Sequence, residues 1–236
     1  MHPKRNRLMK FTLFFTSFLF LFFFSACQEQ EKSTKEATLF ENYFIRYLEL
    51  EQQTKAQASF LEGDSLSNAK PKSFTGGVSF QQSGMTKRQI SDQLIRFEQS
   101  RKIAFAETFT FKYSSASDVS TRHTVRMTPI EDFFIKNNIS KTKGLDIVVK
   151  GKNLSKNESL VFLFSDIENM VSSVEIKGPT HSIEFHLPAE KFVKLGLGTG
   201  KLYLVKKQTI KTSIDNRNIQ SAIEYYTKDI EILIEE

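Results

Sequence analysis

The stretch Ser159–Ser165, with sequence SLVFLFS, decides the fold class. Its five central residues are all apolar, and turn-forming residues lie on either side of it, at Gly151-Lys152-Asn153 and at Gly178-Pro179. A short apolar run bounded by turns is typical of a fully buried strand. The stretch therefore predicts a central strand of a β-sheet.

Similar short runs occupy the rest of the chain from residue 141 to 236, and another turn is expected at Asp215-Asn216. Between them, Pro188 and Gly196 bound a segment that predicts a helix of one or two turns. Seven or eight short strands with such a crossover predict a mainly β fold, an immunoglobulin-like antiparallel β-sandwich. The runs are LDIVVKG, SLVFLFS, SSVEIKG, HSIEFHL, KLYLVKK, QTIKTSI, AIEYYTK and DIEILIE.

Residues 74–140 give a mixed α/β pattern, either as a separate segment or as one unit with the sandwich. A capping box and helical apolar spacing favour a helix over Thr86–Arg101, with a strand from Ile90 to Phe97 as the alternative. Alternation between Phe105 and Tyr113 predicts a strand. The run Thr128-Pro129-Ile130-Glu131 predicts a second short helix, ending near Lys136.

Residues 37–61 have an apolar spacing of i, i+1, i+4 and i+5, which predicts an N-terminal amphipathic helix. Its apolar stripe either packs on its own domain or docks on a partner. Residues 62–73 are rich in Gly, Asp, Ser, Asn and Pro and predict a linker. The stripe consists of Leu39, Phe40, Tyr43, Phe44 and Tyr47.

The first 26 residues have the pattern of a signal peptide, with a basic start, a 14-residue apolar run and small residues at its end. An uncleaved anchor is the alternative. However, Phe11–Ala26 has only 16 residues, about 24 Å as a helix, whereas a spanning helix needs roughly 20 residues.

The four residues Phe24-Ser25-Ala26-Cys27 end this leader, and Cys27 is the only cysteine in the chain. They resemble the lipobox of bacterial lipoprotein precursors, although Leu is usual where this chain has Phe24. The resemblance implies that Phe24, Ser25 and Ala26 are recognised by a signal peptidase and that Cys27 carries the lipid. Residues 27–36 would then be a lipidated tether. Gln28 in place of Asp implies an outer-membrane lipoprotein of the cell envelope, on its periplasmic or surface face.

The net charge of +6 invites a nucleic-acid interpretation, but four of the basic residues lie in the leader, at Lys4, Arg5, Arg7 and Lys10. The remainder carries about +2 and mixes its lysines with glutamates, so no nucleic-acid partner is expected. One cysteine excludes an intramolecular disulfide.

Candidate chemistry is sparse. The segment Gly196–Lys201, GLGTGK, lacks both the first glycine and the hydroxyl residue of a phosphate loop. His181 and His186 are five residues apart and would point to opposite faces of a strand, while Glu184 shares the face of His186. We therefore expect no catalytic residues, no metal and no cofactor.

The sequence thus predicts a non-enzymatic, lipid-anchored envelope protein whose ectodomain binds or scaffolds a partner. The membrane is contacted through the lipid, and another envelope protein or a glycan is the expected further partner. The alternative is an envelope hydrolase or carbohydrate-active protein, whose acids could be distant in sequence.

Overall fold

A computed structural model describes residues 37–114 and 120–236, and strands make up nearly all of their regular secondary structure. In chain order the strands are β1 (Thr38–Leu48), β2 (Gln53–Gly63), β3 (Lys70–Pro71), β4 (Val78–Phe80), β5 (Ser83–Gly84), β6 (Thr86–Ser91), β7 (Leu94–Lys102), β8 (Thr108–Ser114), β9 (Ser120–Arg126), β10 (Asp132–Ile135), β11 (Ile139–Ser140), β12 (Leu145–Lys150), β13 (Glu158–Asp166), β14 (Val171–Lys177), β15 (Glu184–Leu187), β16 (Gly198–Ile214), β17 (Arg217–Tyr226) and β18 (Ile230–Glu235).

The main sheet is built around β16, which is 17 residues long. The first part of β16 pairs with β13 on one side and β18 on the other, and its second part pairs with β17. At about 3.3 Å per residue this strand is more than 50 Å long. It therefore joins two halves of the main sheet. The C-terminal half contains β13 and β18, and the N-terminal half begins at β17.

The N-terminal half of the main sheet continues from β17 through β1, β2, β7 and β6. β1 and β2 form an antiparallel hairpin, and β1 pairs with β17 in parallel over Leu39–Leu48. The first described strand is thus held on both sides, by its neighbour in sequence and by a strand near the C terminus.

Two smaller sheets cover the same face of the main sheet, which we call its inner face. The sheet β5-β4-β8-β9 packs on the N-terminal half, where the rings of Tyr43 and Phe111 lie 4.7 Å apart. The sheet β10-β12-β15 packs on the C-terminal half, where Phe162 and Phe185 lie 5.8 Å apart. The mainly β fold with sandwich-like layers is therefore confirmed.

The two small sheets meet above a buried ion pair. Lys206 of β16 and Glu158 of β13 approach to 3.2 Å, with side chains 3% and 7% exposed. Lys206 also donates a hydrogen bond to the carbonyl oxygen of Thr128 (2.9 Å), in the segment that connects the two small sheets. A buried charge needs such partners, so this lysine fixes the connection to the main sheet.

The predicted N-terminal helix over residues 37–61 is wrong, because the described residues of this segment form β1, a turn and β2. Apolar residues at i, i+1, i+4 and i+5 also fit a strand that carries large side chains on both faces. Tyr43 and Tyr47 point into the core, whereas Phe40 and Phe44 are on the opposite, outer face.

Two further predicted helices are also wrong. Thr86–Arg101 contains the hairpin of β6 and β7, and Asp132–Ile135 is a strand that follows Pro129. Pairing with neighbouring strands overrides the local capping patterns there. The helix predicted between Pro188 and Gly196 is one 3-10 turn, Ala189–Lys191.

The C-terminal strand pattern is confirmed, including the turn at Asp215-Asn216. The two predicted runs KLYLVKK and QTIKTSI are one strand, β16. The signal peptide over residues 1–26 and the tether over residues 27–36 lie outside the described residues.

Candidate functional site

The outer face of the main sheet carries the candidate site, in its N-terminal half. Strand alternation places Phe40, Asn42 and Phe44 of β1 on this face, opposite the buried Tyr43. In the neighbouring strands the register brings outward residues alongside them. Asn42 is paired with Ser59 of β2 and with Gln220 of β17.

A groove of about 510 Å³ is lined by Phe40, Asn42, Ser59 and Gln220. That volume lies within the roughly 300–1,000 Å³ typical of small-molecule sites. Its apolar side chains are Phe40, Leu61, Leu66 and Leu94, and Leu66 is 64% exposed. Its outward polar side chains are Asn42, Ser59, Lys211, Ser213, Asn218 and Gln220. A smaller cavity of about 160 Å³ adjoins it, sharing Asn42, Ser59 and Leu94 and adding Phe44, Gln57 and Arg96.

A buried carboxylate lies beneath this groove. Glu41 precedes Asn42 on β1, so its side chain points to the inner face, where it is fully buried. It accepts hydrogen bonds from the hydroxyls of Tyr43 (2.6 Å) and Tyr113 (2.9 Å) and from Nε and Nη2 of Arg217. The guanidinium compensates the buried charge, and the four bonds fix the backbone of β1 under the groove.

The surroundings of Glu41 shift the protonation of its partners. Burial and the adjacent carboxylate raise the pKa of Tyr113 to about 12 and raise the pKa of Tyr43 well above its usual value. The hydrogen bond to Glu41 raises the pKa of Arg217. Both phenols therefore stay protonated as donors over the physiological pH range.

His123 of β9 packs on this network, with its ring stacked 4.5 Å from that of Tyr43. Burial lowers the pKa of His123. Its Nε2 atom is buried and has no hydrogen-bond partner among the described residues. A neutral imidazole is thus favoured at this position.

A second concavity, a polar cleft of about 470 Å³, lies where the two small sheets meet. It contains Glu107, Arg126 and Lys152 together with the Lys206–Glu158 ion pair. Charged groups of both signs line it, in contrast to the neutral amides and hydroxyls that dominate the groove.

The residues of the predicted stripe are divided between two faces. Tyr43 and Tyr47 are buried in the core, and Leu39 packs against it. Phe40 and Phe44 remain on the outer face, where they line the groove and the cavity beside it. Cys27, Phe24, Ser25 and Ala26 lie outside the described residues.

The residues around His186 form surface pairs. Nδ1 of His186 lies 2.8 Å from Asp146, and Glu184 pairs with Lys136 at 2.6 Å. Within residues 37–114 and 120–236, no group of three His, Cys, Asp or Glu side chains is placed to hold a metal ion.

The groove residues Asn42, Ser59 and Gln220 were missed by sequence reasoning. The available signal is the alternation Phe40-x-Asn42-x-Phe44, which also fits the spacing of a helical stripe. Gln220 could not have been linked to Asn42, because their pairing is between strands far apart in sequence.

Comparison with known proteins adds no family assignment: no family model matches the chain, and no characterised protein is significantly similar to it in sequence. None of the helical turns in the described part is long and apolar enough to cross a bilayer.

Proposed function

We propose that the chain is a bacterial lipoprotein of the outer membrane, anchored through Cys27, whose β ectodomain binds a ligand in the outer-face groove. It acts by binding and not by catalysis, without a metal or cofactor. Residues 28–36 serve as the tether, and the membrane is contacted by the lipid. The immunoglobulin-like character of the ectodomain is part of this proposal and is supported by its layered sheets.

The groove is the single observation that carries the binding proposal. Most concave sites combine apolar walls with a few polar groups that orient a ligand, and this groove has both. It also lies close in sequence to the first described residue, because Phe40 is three residues beyond Ala37.

The anchor is tested by growing cells with an alkynyl fatty acid and measuring its incorporation into the protein. The wild type should be labelled, and Cys27→Ala should lose the label, since Cys27 is the only thiol. Equal labelling of the two proteins would show that the lipoprotein proposal is wrong.

The groove is tested by a thermal-shift screen of the full chain in detergent against a mixed library of oligosaccharides, peptides and apolar small molecules. Asn42→Trp fills the groove from an exposed strand position, and Gln53→Trp is the matched change on the same face outside it. Compounds that stabilise the wild type and Gln53→Trp, but not Asn42→Trp, support the site. If no compound distinguishes these variants, the groove does not bind ligands of these classes.

The second candidate function is an envelope hydrolase, and the polar cleft is the observation that favours it. The cleft brings Glu107 and Glu158 to one concavity, and paired carboxylates are the usual machinery of glycoside hydrolysis. Hydrolysis of chromogenic glycosides by the wild type, lost in Glu107→Gln with an unchanged melting temperature, would support this function. Rates equal to the buffer blank would refute it.

A further inference from the structure

The groove contains a row of hydrogen-bonding side chains that crosses four strands. Register places Lys211 of β16 beside Gln220 of β17, then Asn42 of β1, then Ser59 of β2. Neighbouring strands are about 4.8 Å apart, so the row is about 14 Å long. A row of this length can contact several units of an extended ligand at once.

Apart from the cation Lys211 at one end, this row consists of the neutral donors and acceptors of Gln220, Asn42 and Ser59. Each carboxamide of Asn42 and Gln220 presents a donor and an acceptor together. Among the outward polar side chains of the groove, the described residues show one mutual hydrogen bond, from Ser213 to Asn218 (2.6 Å). Asn42 and Gln220 are exposed, and within residues 37–114 and 120–236 their amides make no side-chain hydrogen bond, so they can pair with hydroxyl groups that both donate and accept.

An apolar platform lies directly beside this row. Phe40 is two residues before Asn42 on the same face, about 7 Å away along the strand. Phe44 is two residues after it, but the guanidinium of Arg46 lies 5.4 Å from the centre of the Phe44 ring. Phe40, with Leu61 and Leu66, thus provides the apolar surface of the groove.

Other ligand classes fit this combination less well. An acyl chain would remove water from the amide row without replacing its hydrogen bonds, which is unfavourable. A peptide that binds by strand addition needs a free sheet edge, and this groove lies on the face of internal strands. The cations at its borders, Lys211 and Arg96, disfavour positively charged ligands.

We propose that this groove is a glycan-binding site, specific for a neutral or acidic oligosaccharide, which deepens the proposed function and rests on it. The apolar C–H face of a sugar ring stacks on Phe40. The hydroxyl groups of that ring and its neighbours bond to Asn42, Gln220 and Ser59. Lys211 favours a ligand with a carboxylate at that end of the row.

The test uses the full chain in detergent on an array of neutral and acidic oligosaccharides, followed by calorimetric titration of the oligosaccharide that binds best. Phe40→Ala and Gln220→Ala should each weaken binding by about tenfold, the loss expected for one good contact. Phe134→Ala and Gln53→Ala are matched controls, because Phe134 is half-exposed on β10 and Gln53 lies outside the groove. Both controls should bind like the wild type.

The results distinguish the glycan assignment from the proposal that the groove binds a ligand. If groove-dependent ligands appear in the mixed library but no oligosaccharide binds, the groove is a site and the glycan assignment is wrong. If an oligosaccharide binds but Phe40→Ala and Gln220→Ala have no effect, the assignment to this groove is overturned. Gln220→Ala changes one exposed side chain. If this variant loses oligosaccharide binding while its melting temperature is unchanged, unfolding does not explain the loss.

Discussion

The two halves of the inner face of the main sheet are filled by different kinds of side chain. The N-terminal half is aromatic, and its core surrounds the carboxylate of Glu41. The C-terminal half is mostly aliphatic. Its buried residues include Ile139, Leu145, Ile147, Val149, Leu160, Leu202, Leu204, Ile232 and Ile234.

The aromatic half encloses a buried carboxylate, and the groove lies on the other face of the same strands. Tyrosines bury large rings and still provide hydroxyl donors, so they can enclose a charge that an aliphatic core could not satisfy. Glu41 and Arg217 hold β1 and β17 together directly beneath the groove. The aromatic half therefore combines apolar packing with a buried charge network, while the core of the other half consists mostly of aliphatic packing.

Of the changes that test this comparison, Glu41→Ala should lower the free energy of unfolding the most. It leaves Arg217 and two phenol groups without their shared acceptor, and breaking a buried pair in this way costs about 3–5 kcal/mol. Urea unfolding measures the change in the free energy of unfolding. A loss below about 1 kcal/mol would show that the charge network does not hold the aromatic half together.

Leu204→Ala probes the aliphatic half at a fully buried position on β16. A truncation of this kind typically costs about 2–5 kcal/mol through lost burial and the cavity left behind. We expect about 3 kcal/mol in the same urea assay, with no change in ligand binding at the groove. A parallel loss of binding would mean that the two halves are coupled through β16.

Tyr113→Phe removes one hydrogen bond to the Glu41 carboxylate and keeps the ring. A hydrogen bond to a charged group contributes about 1.5–3 kcal/mol, and three bonds to Glu41 remain. We expect a loss at the lower end of that range. Urea unfolding measures this loss, and Phe111→Leu in the same layer is the packing control. A loss below about 0.5 kcal/mol for Tyr113→Phe would show that its hydroxyl contributes little to the network.

His123 should give the smallest effect, seen in the pH dependence of stability. Because burial lowers its pKa in the folded state, the unfolded chain binds more protons as the pH falls below about 6.5. The free energy of unfolding should therefore fall between pH 7.5 and pH 5.5, and His123→Gln should reduce that fall. His181→Gln, at an exposed site, is the control; if it flattens the profile equally, His123 is not responsible.

The sequence predicts the C-terminal strands because alternation and turn residues there are local signals. It fails at β1, where a strand with aromatic side chains on both faces imitates the spacing of an amphipathic helix. It also fails for the groove as a whole. Phe40 was found as an apolar residue, but its neighbours Asn42 and Gln220 are brought together only by the parallel pairing of β1 and β17.

That parallel pairing also governs the order in which the chain can assemble. In a chain that emerges from its N terminus, β1 appears early, but its partner β17 appears only after Arg217. Contacts between such distant segments slow folding. The main sheet, and with it the groove, is therefore completed only when almost the whole chain has emerged.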